Sequence, residues 1–295
     1  MINILITQSG GPAAIGLIKS IRQSSYDTSI ISTDMDTLAT GNYLSDHHYT
    51  VPPASDSNYI KTLLYLVKKH KIDLIIPTGE NDFQKLSNNK NEFEGCGCKL
   101  FISNSNTIET CQDKFKFYEF LKDKDVPLPL TINKPVIIKP NKESGSRGIK
   151  VLDLKNQILQ EHLPGKEYTV DVFCDMNSKI ISHIIRERIA IKSGISVKGK
   201  ILQNPNISSI IIKLVKYLDL RGPVCIQFKE NESGEPVIIE CNPRLGGGTY
   251  MCTLAGVNYA DIYFDLLTNT KRATPNPKEI TVLRYYNEII IWEFL

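Results

Sequence analysis

Glu240 and Asn242 stand two residues apart in the run VIIECNPRLGGG, Val237 to Gly248, with Arg244 and three glycines directly behind them. Side chains alternate along a strand, so Glu240, Asn242 and, if the extended backbone persists past Pro243, Arg244 point to one side. A carboxylate, an amide oxygen and a guanidinium then face one small volume. Gln227 in VCIQFK lies one hairpin earlier, and antiparallel pairing across the turn ESGEP brings its amide toward the same place. Magnesium takes oxygen ligands and shares them with substrate phosphates and water, so a thinly charged Gln, Glu and Asn set suits it. A guanidinium and approachable glycine amides beside such an ion suit a phosphoryl group in transfer. Taken alone, the hairpin reads more simply as a solvated sheet face with ordinary polar alternation.

A second group lies in KPNKESGSRG, where Lys139 ends an apolar strand before a loop holding Gly145, Arg147 and Gly148. Glycines let backbone N–H groups turn toward a phosphate, and Lys139 and Arg147 supply charge. No Gly-Lys-Ser/Thr follows, so this is not a Walker loop, and a hairpin with a polar tip explains the same residues. Arg186 and Arg188 share a strand face, which suits either cross-strand ion pairing or a substrate carboxylate. His47 and His48 are adjacent on an expected loop, the commoner setting of solvated histidines. SGGPAAIG with Asp34 downstream has the wrong glycine spacing for a dinucleotide fingerprint, because Ala13 stands where the second glycine belongs. Cys96 and Cys98 in GCGC lack a second pair or a nearby His to complete a metal site. Tyr285 and Tyr286 are taken as one core and one surface aromatic.

These groups need elements to hold them. The chain has 295 residues, 41% hydrophobic and 23% charged, with a net charge of +3 and no long basic run, which argues against a dedicated nucleic-acid binder. Met1 opens straight into the strand-like INILIT, and no apolar run approaches the roughly 18 residues of a membrane span. Seven scattered cysteines, an odd number, suit reduced thiols in the cytoplasm. INILIT, a helical pattern through Ile21, SIIST, the helical NYIKTLLYLVKKH, IDLIIP and KLFIS alternate strand with helix, which predicts a parallel doubly wound sheet over residues 1–105. The spacing of Phe115, Tyr118 and Leu121 predicts a helix ended by Val126 and Pro127. Beyond it, short strands predict a small antiparallel lobe over about residues 131–171. Longer strands follow, with a helix around 206–219 and a last helical region near 256–267.

In order, SGGPAAIG, DKFKFYEFL with VPLP, VIIKP, SGSRG, QEHLPGKEYTVDVF, RERI, SGISVKG, LRGPVCIQF and IIECNPRLGGG resemble the ATP-grasp superfamily, specifically the short stand-alone relatives of the carbamoyl-phosphate synthase large chain. The resemblance covers nearly the whole chain. It implies an α/β fold with a Rossmann-like pre-ATP-grasp domain (1–105) ahead of an ATP-grasp domain (106–295) that has a lid lobe and an antiparallel lobe. It implies that Lys114 and Lys139 contact the nucleotide phosphates under the loop Ser144, Gly145, Ser146, Arg147 and Gly148. Gln160, Glu161 and Leu163 are then the adenine hinge, and Glu167 holds the ribose hydroxyls. Gln227, Glu240 and Asn242 take the metal positions, while Arg244, Lys139 and Arg188 serve catalysis. The implied cofactors are ATP and Mg²⁺, with Mn²⁺ as substitute, and the implied partners are a small-molecule carboxylate and an amine, with no nucleic acid or membrane. A homodimer is compatible with the resemblance. The sequence departs from the family in two places: the lid is trimmed, and Gln160 stands where many relatives carry an acid. The implied reaction is ATP-dependent ligation through an acyl phosphate. A bicarbonate or carbamate acceptor and a non-catalytic nucleotide-binding regulator are the rival readings.

Overall fold

The computed structural model describes residues 1–142 and 148–291, so the calls on Ser144, Gly145, Ser146 and Arg147 lie outside the described residues. The first half holds β1 (Ile2–Thr7), α1 (Pro12–Arg22), β2 (Thr28–Asp34), β3 (His47–Thr50), α2 (Tyr59–His70), β4 (Leu74–Pro77), α3 (Phe83–Asn88), α4 (Lys90–Gly95) and β5 (Lys99–Leu100). All its strand pairings are parallel, in the order β3-β2-β1-β4-β5. Strands β1 and β4, buried on both faces, read as unbroken apolar runs, as a covered parallel sheet requires. Helix α1 starts with Pro12, whose missing N–H costs nothing in the first turn, and buries Ala14, Leu17, Ile18 and Ile21 at helical spacing.

Two helices lead on, α5 (Ser105–Gln112) and α6 (Lys114–Leu121). The Asp113 side chain caps α6 by accepting from Phe115 N and Lys116 N. The buried stripe of α6 is Phe117 and Leu121, an i,i+4 pair, whereas Phe115 and Tyr118 stack half-buried with ring centroids 6.5 Å apart. The helix holds Phe115, Tyr118 and Leu121 as expected but stops at Leu121, ahead of the expected end at Val126 and Pro127, and is turned so that a different aromatic faces the core. Next come the short strands of the expected lid, β6 (Thr131–Ile132), β7 (Val136–Ile138), β8 (Lys150–Leu152) and β9 (Leu159–Gln160), which pair antiparallel as β6 with β9 and β7 with β8.

The remainder forms one antiparallel sheet from β10 (Glu167–Cys174), β11 (Ile180–Lys192), β12 (Ile195–Leu202), β13 (Gly222–Glu230), β14 (Pro236–Asn242) and β15 (Thr281–Leu283), in the order β14-β13-β10-β11-β12-β15. Helix α7 (Pro205–Leu218) joins β12 to β13, and α8 (Tyr250–Leu254) and α9 (Tyr259–Thr268) follow β14. One face of this sheet packs Val170, Val172, Ile226 and Phe228 against the Ile207, Ile211 and Leu214 stripe of α7. The other meets the parallel sheet through α1, α8 and α9, so that Ile4, Ile6, Leu17 and Ile18 share a core with Phe173, Ile184, Tyr259 and Tyr263. A third core of Leu5, Ile31, Leu63 and Leu66 covers the far side of the parallel sheet. Burial on this scale ties the two sheets into one body, since each covered Leu or Ile contributes about 1.5–3 kcal/mol.

Three expectations change. His47 and His48 lie exposed on the edge strand β3 and not on a loop. Tyr285 and Tyr286 are both surface residues, 87% and 76% exposed, because they follow β15 at the rim of the sheet. KLFIS contributes only Lys99–Leu100 to a strand. All seven cysteines are free thiols. Among the described residues no helix is long and apolar enough to cross a membrane.

Candidate active site

In an open doubly wound sheet, ligands bind beyond the carboxyl ends of the strands where the strand order reverses. Here that point lies between β1 and β4, and the loops leaving them, Gly11 to Ala13 and Thr78 to Asn81, form one wall of a cleft of about 350 Å³. Strands β11 and β13 and the loop after β14 form the other wall, with Arg186, Arg188, Gln227, Asn242, Arg244 and Gly246 to Gly248.

The register explains how the polar groups meet. Gln227 pairs directly with Glu240 across the β13–β14 hairpin, and a bulge next to this pair sets Phe228 opposite Ile238. Gln227 Nε2 donates to Glu240 Oε1 at 2.5 Å, and Asn242 Nδ2 donates to the same oxygen at 2.7 Å. Lys114 Nζ, on the first turn of α6, reaches Glu240 Oε2 at 3.3 Å. Arg188 Nη1 donates to Gln227 Oε1 at 2.7 Å, and its Nη2 donates to the Gly194 carbonyl at 2.6 Å. Arg188 Nε is 3.2 Å from Glu167 Oε1 without a hydrogen-bonding angle, so this pair is a charge contact only. Lys114, Glu167, Arg188, Gln227, Glu240 and Asn242 therefore form one connected network.

Deeper in the cleft, Arg186 Nε donates to Asp171 Oδ2 at 2.5 Å, with both side chains 2% exposed. Burial opposes charge on this guanidinium, but the carboxylate of Asp171 outweighs burial and holds it protonated. Asp171 also accepts from the Thr249 hydroxyl at 2.6 Å. The glycines after Arg244 gain a physical reason here. A Cβ on Gly248 meets Arg186 Nη1 at 2.7 Å, and one on Gly246 meets Cys225 Sγ at 2.8 Å. Burial first, then the charge of Asp171, pushes the Cys225 thiol up to about 12, so it is an inert wall of the cleft. Arg284, just after β15, donates to the Gly247 carbonyl at 3.0 Å and pins the loop from outside.

Arg244 does not continue the strand. Its amide donates to the Asn242 carbonyl at 2.7 Å, a tight turn that swings the side chain toward the loop after β4. There Arg244 Nε donates to Glu80 Oε1 at 3.0 Å, and Nη2 pairs with the same oxygen. The lid residues stand apart from the network. Lys139 is exposed at the end of β7, and Gln160 donates to the Thr131 hydroxyl at 3.0 Å, beside exposed Glu161 and buried Leu163. Gly148 has φ of 73°, a left-handed conformation that favours glycine. Asp171, Glu80, Thr249 and Arg284 were not among the expected site residues. The signal for Asp171 was present, since a charge inside YTVDVF breaks an otherwise apolar strand.

The hairpin that joins Gln227, Glu240 and Asn242 in one polar cluster thus stands beside the switch-point cleft. A family model described as ATP-grasp in the biosynthetic pathway with Ter operon matches residues 153–289. That match covers the antiparallel sheet, β10 to β15. A second model, the PylC-like N-terminal domain, matches residues 4–101 and so covers the parallel sheet. The carbamoyl phosphate synthase large chain of Clostridium botulinum (strain Alaska E43 / Type E3) is 25% identical over 88% of this chain, which spans 27% of that relative. Among solved structures, N5-carboxyaminoimidazole synthetase from Staphylococcus aureus superposes with a TM-score of 0.67 at 14% identity, covering 96% of this chain and 80% of that one. The biotin carboxylase domain dimer of Hydrogenobacter thermophilus 2-oxoglutarate carboxylase, in complex with MgADP, ADP and bicarbonate, superposes with a TM-score of 0.65 at 16% identity, covering 93% and 71%. At these identities the likeness bears on the fold alone.

Proposed function

We propose that the chain is an ATP-dependent ligase. It transfers the terminal phosphoryl group of ATP to a carboxylate, and an amine attacks the resulting acyl phosphate to give an amide, ADP and phosphate. The observation that carries this reading is the continuity of the Lys114–Glu240–Asn242 cluster with the arginine-lined cleft, because donor phosphate and acceptor must meet in one volume. Phosphoryl transfer is mainly positioning and charge stabilisation, and calls for no covalent group from the protein. Lys114 and Lys139 hold the nucleotide phosphates, and Gln160 to Leu163 receive the adenine. Glu167 holds the ribose, which requires it to leave Arg188. The boundary falls at 105/106, with the lid over about 131–171.

The donor set fits a magnesium ion that shares its shell with phosphates. Glu240 supplies the charge and Asn242 an amide oxygen, and Gln227 Oε1, which accepts from Arg188, keeps a second lone pair to offer. When bound, the ion neutralises the charge on the transferring phosphoryl group. Arg244 and the Gly246 to Gly248 amides orient that group on the acceptor side, Arg188 orients the acceptor carboxylate, and a closed lid excludes water from the acyl phosphate.

A cleft of about 350 Å³ is of the size that takes organic ligands, which favours an organic acid over bicarbonate. ADP release measured with Mg²⁺ or Mn²⁺ across panels of carboxylates and amines tests the proposal. Release that needs both a carboxylate and an amine is expected. Release with bicarbonate alone supports the rival acceptor, and tight ATP binding without any release supports a regulatory role.

A further inference from the structure

The three guanidiniums of the cleft differ in where their counter-ions come from. Arg186 and Arg188 are matched by Asp171 and Glu167 of the same sheet, in buried or half-buried positions. Arg244 is matched by Glu80, which belongs to the loop after β4 in the other domain and is 50% exposed. That loop is fixed at both ends. Thr78 Oγ1 donates to the Thr7 carbonyl at 2.8 Å, and Tyr59 donates to the buried Asp82 at 2.7 Å. Glu80 thus projects from a held backbone, and it is the one carboxylate among the described residues that line the cleft.

A phosphoryl group or a carboxylate arriving at Arg244 competes for the same guanidinium and carries at least the same charge. Glu80 is then displaced toward a cleft that already holds anions, and a cation there restores the balance. We infer that Glu80 recognises the amine substrate, binding it as a primary ammonium once the acyl group has taken its place on Arg244. This rests on the ligase reading and adds the residue that selects the nucleophile. The proton count closes. Glu80 accepts one N–H proton as the nitrogen lone pair is released to attack the acyl carbon. The bond from that carbon to the phosphate oxygen breaks with its electron pair, and a second N–H proton leaves on the phosphate.

The test uses the full chain with ATP, Mg²⁺ and a carboxylate that supports ADP release. Wild type, Glu80→Gln and Glu80→Asp are compared with two kinds of nucleophile. One is hydroxylamine, which is largely uncharged at pH 8 and traps acyl phosphates as hydroxamates; the other is ammonium chloride or a primary amine. Thermal melts establish that the variants fold. Amine-dependent kcat/KM in Glu80→Gln is expected to fall about 10²-fold relative to hydroxylamine-dependent kcat/KM, within the range for a lost acid–base group, with partial recovery in Glu80→Asp. An equal fall with both nucleophiles assigns Glu80 to placing Arg244 and overturns the inference, as does no change with either. Wild-type hydroxamate formation without any amine discrimination by Glu80 leaves the ligase reading standing. Absence of ADP release from wild type with either nucleophile removes both.

Discussion

Replacing Arg186 with methionine gives the sharpest stability prediction. The guanidinium and Asp171 are each 2% exposed and are joined at 2.5 Å, so neither is hydrated. Methionine fills much of the volume but leaves the carboxylate with only the Thr249 hydroxyl and the Cys252 thiol as partners. Breaking a buried pair by removing one member costs about 3–5 kcal/mol, because the remaining charge is uncompensated. That is a large part of the roughly 5–15 kcal/mol that holds a domain folded. Removing both charges in Arg186→Met/Asp171→Leu recovers most of the loss, since apolar replacement of a whole pair is often neutral. Thr249 tolerates the second change because its hydroxyl also donates to the Gly246 carbonyl at 2.9 Å. Urea denaturation followed by far-UV circular dichroism measures all three proteins. A single mutant within about 1 kcal/mol of wild type, or a double mutant as unstable as two independent losses, refutes the buried pair as the anchor of the cleft.

Gly248→Ala places a methyl group 2.7 Å from Arg186 Nη1 and is expected to cost about 1–3 kcal/mol in the same assay. Introduced together with Arg186→Met it should add little, and an undiminished cost there contradicts the contact. Burial lowers the pKa of His183, whose Nε2 meets Ser208 Oγ at 2.9 Å. The unfolded chain therefore binds that proton more readily, so the stability due to neutral His183 is complete above the unfolded value of about 6.5 and is lost as pH falls through the folded value. The slope of stability against pH below that point should shrink in His183→Gln, measured by thermal melts from pH 7 to 5. Glu240→Ala should keep the fold and lower Mg²⁺-dependent ATP turnover by more than about 100-fold, the upper end for a group one shell further out. Unchanged turnover in the folded variant removes Glu240 from the metal site.

Patterns of local period were legible. Alternation of apolar strands with helical stripes gave the parallel sheet, and Asn104 and Asp113 cap the starts of α5 and α6 respectively. The Gln227, Glu240 and Asn242 cluster was legible because one hairpin turn fixes its register. What depends on long-range approach was hidden. The Glu80–Arg244 contact joins residues far apart in the chain, and the short turn at Pro243 that makes it possible leaves no mark in the alternation pattern. Phe117 rather than Phe115 faces the core of α6 because the rotation of a short helix is set by its neighbours. Strand β15 is three residues long, too short for a period to show. The three glycines were visible as approachable backbone, but that Gly246 makes room for Cys225 and Gly248 for Arg186 emerged only from packing.

The central claim is that the carboxylate oxygen is phosphorylated before the amine attacks, and oxygen labelling follows that atom. With an ¹⁸O-labelled carboxylate that supports ADP release, attack on an acyl phosphate breaks the bond between the acyl carbon and the labelled bridging oxygen. The account predicts ADP together with inorganic phosphate carrying one ¹⁸O for each amide formed, read by mass spectrometry. Unlabelled phosphate, or label appearing in AMP with release of pyrophosphate, contradicts it.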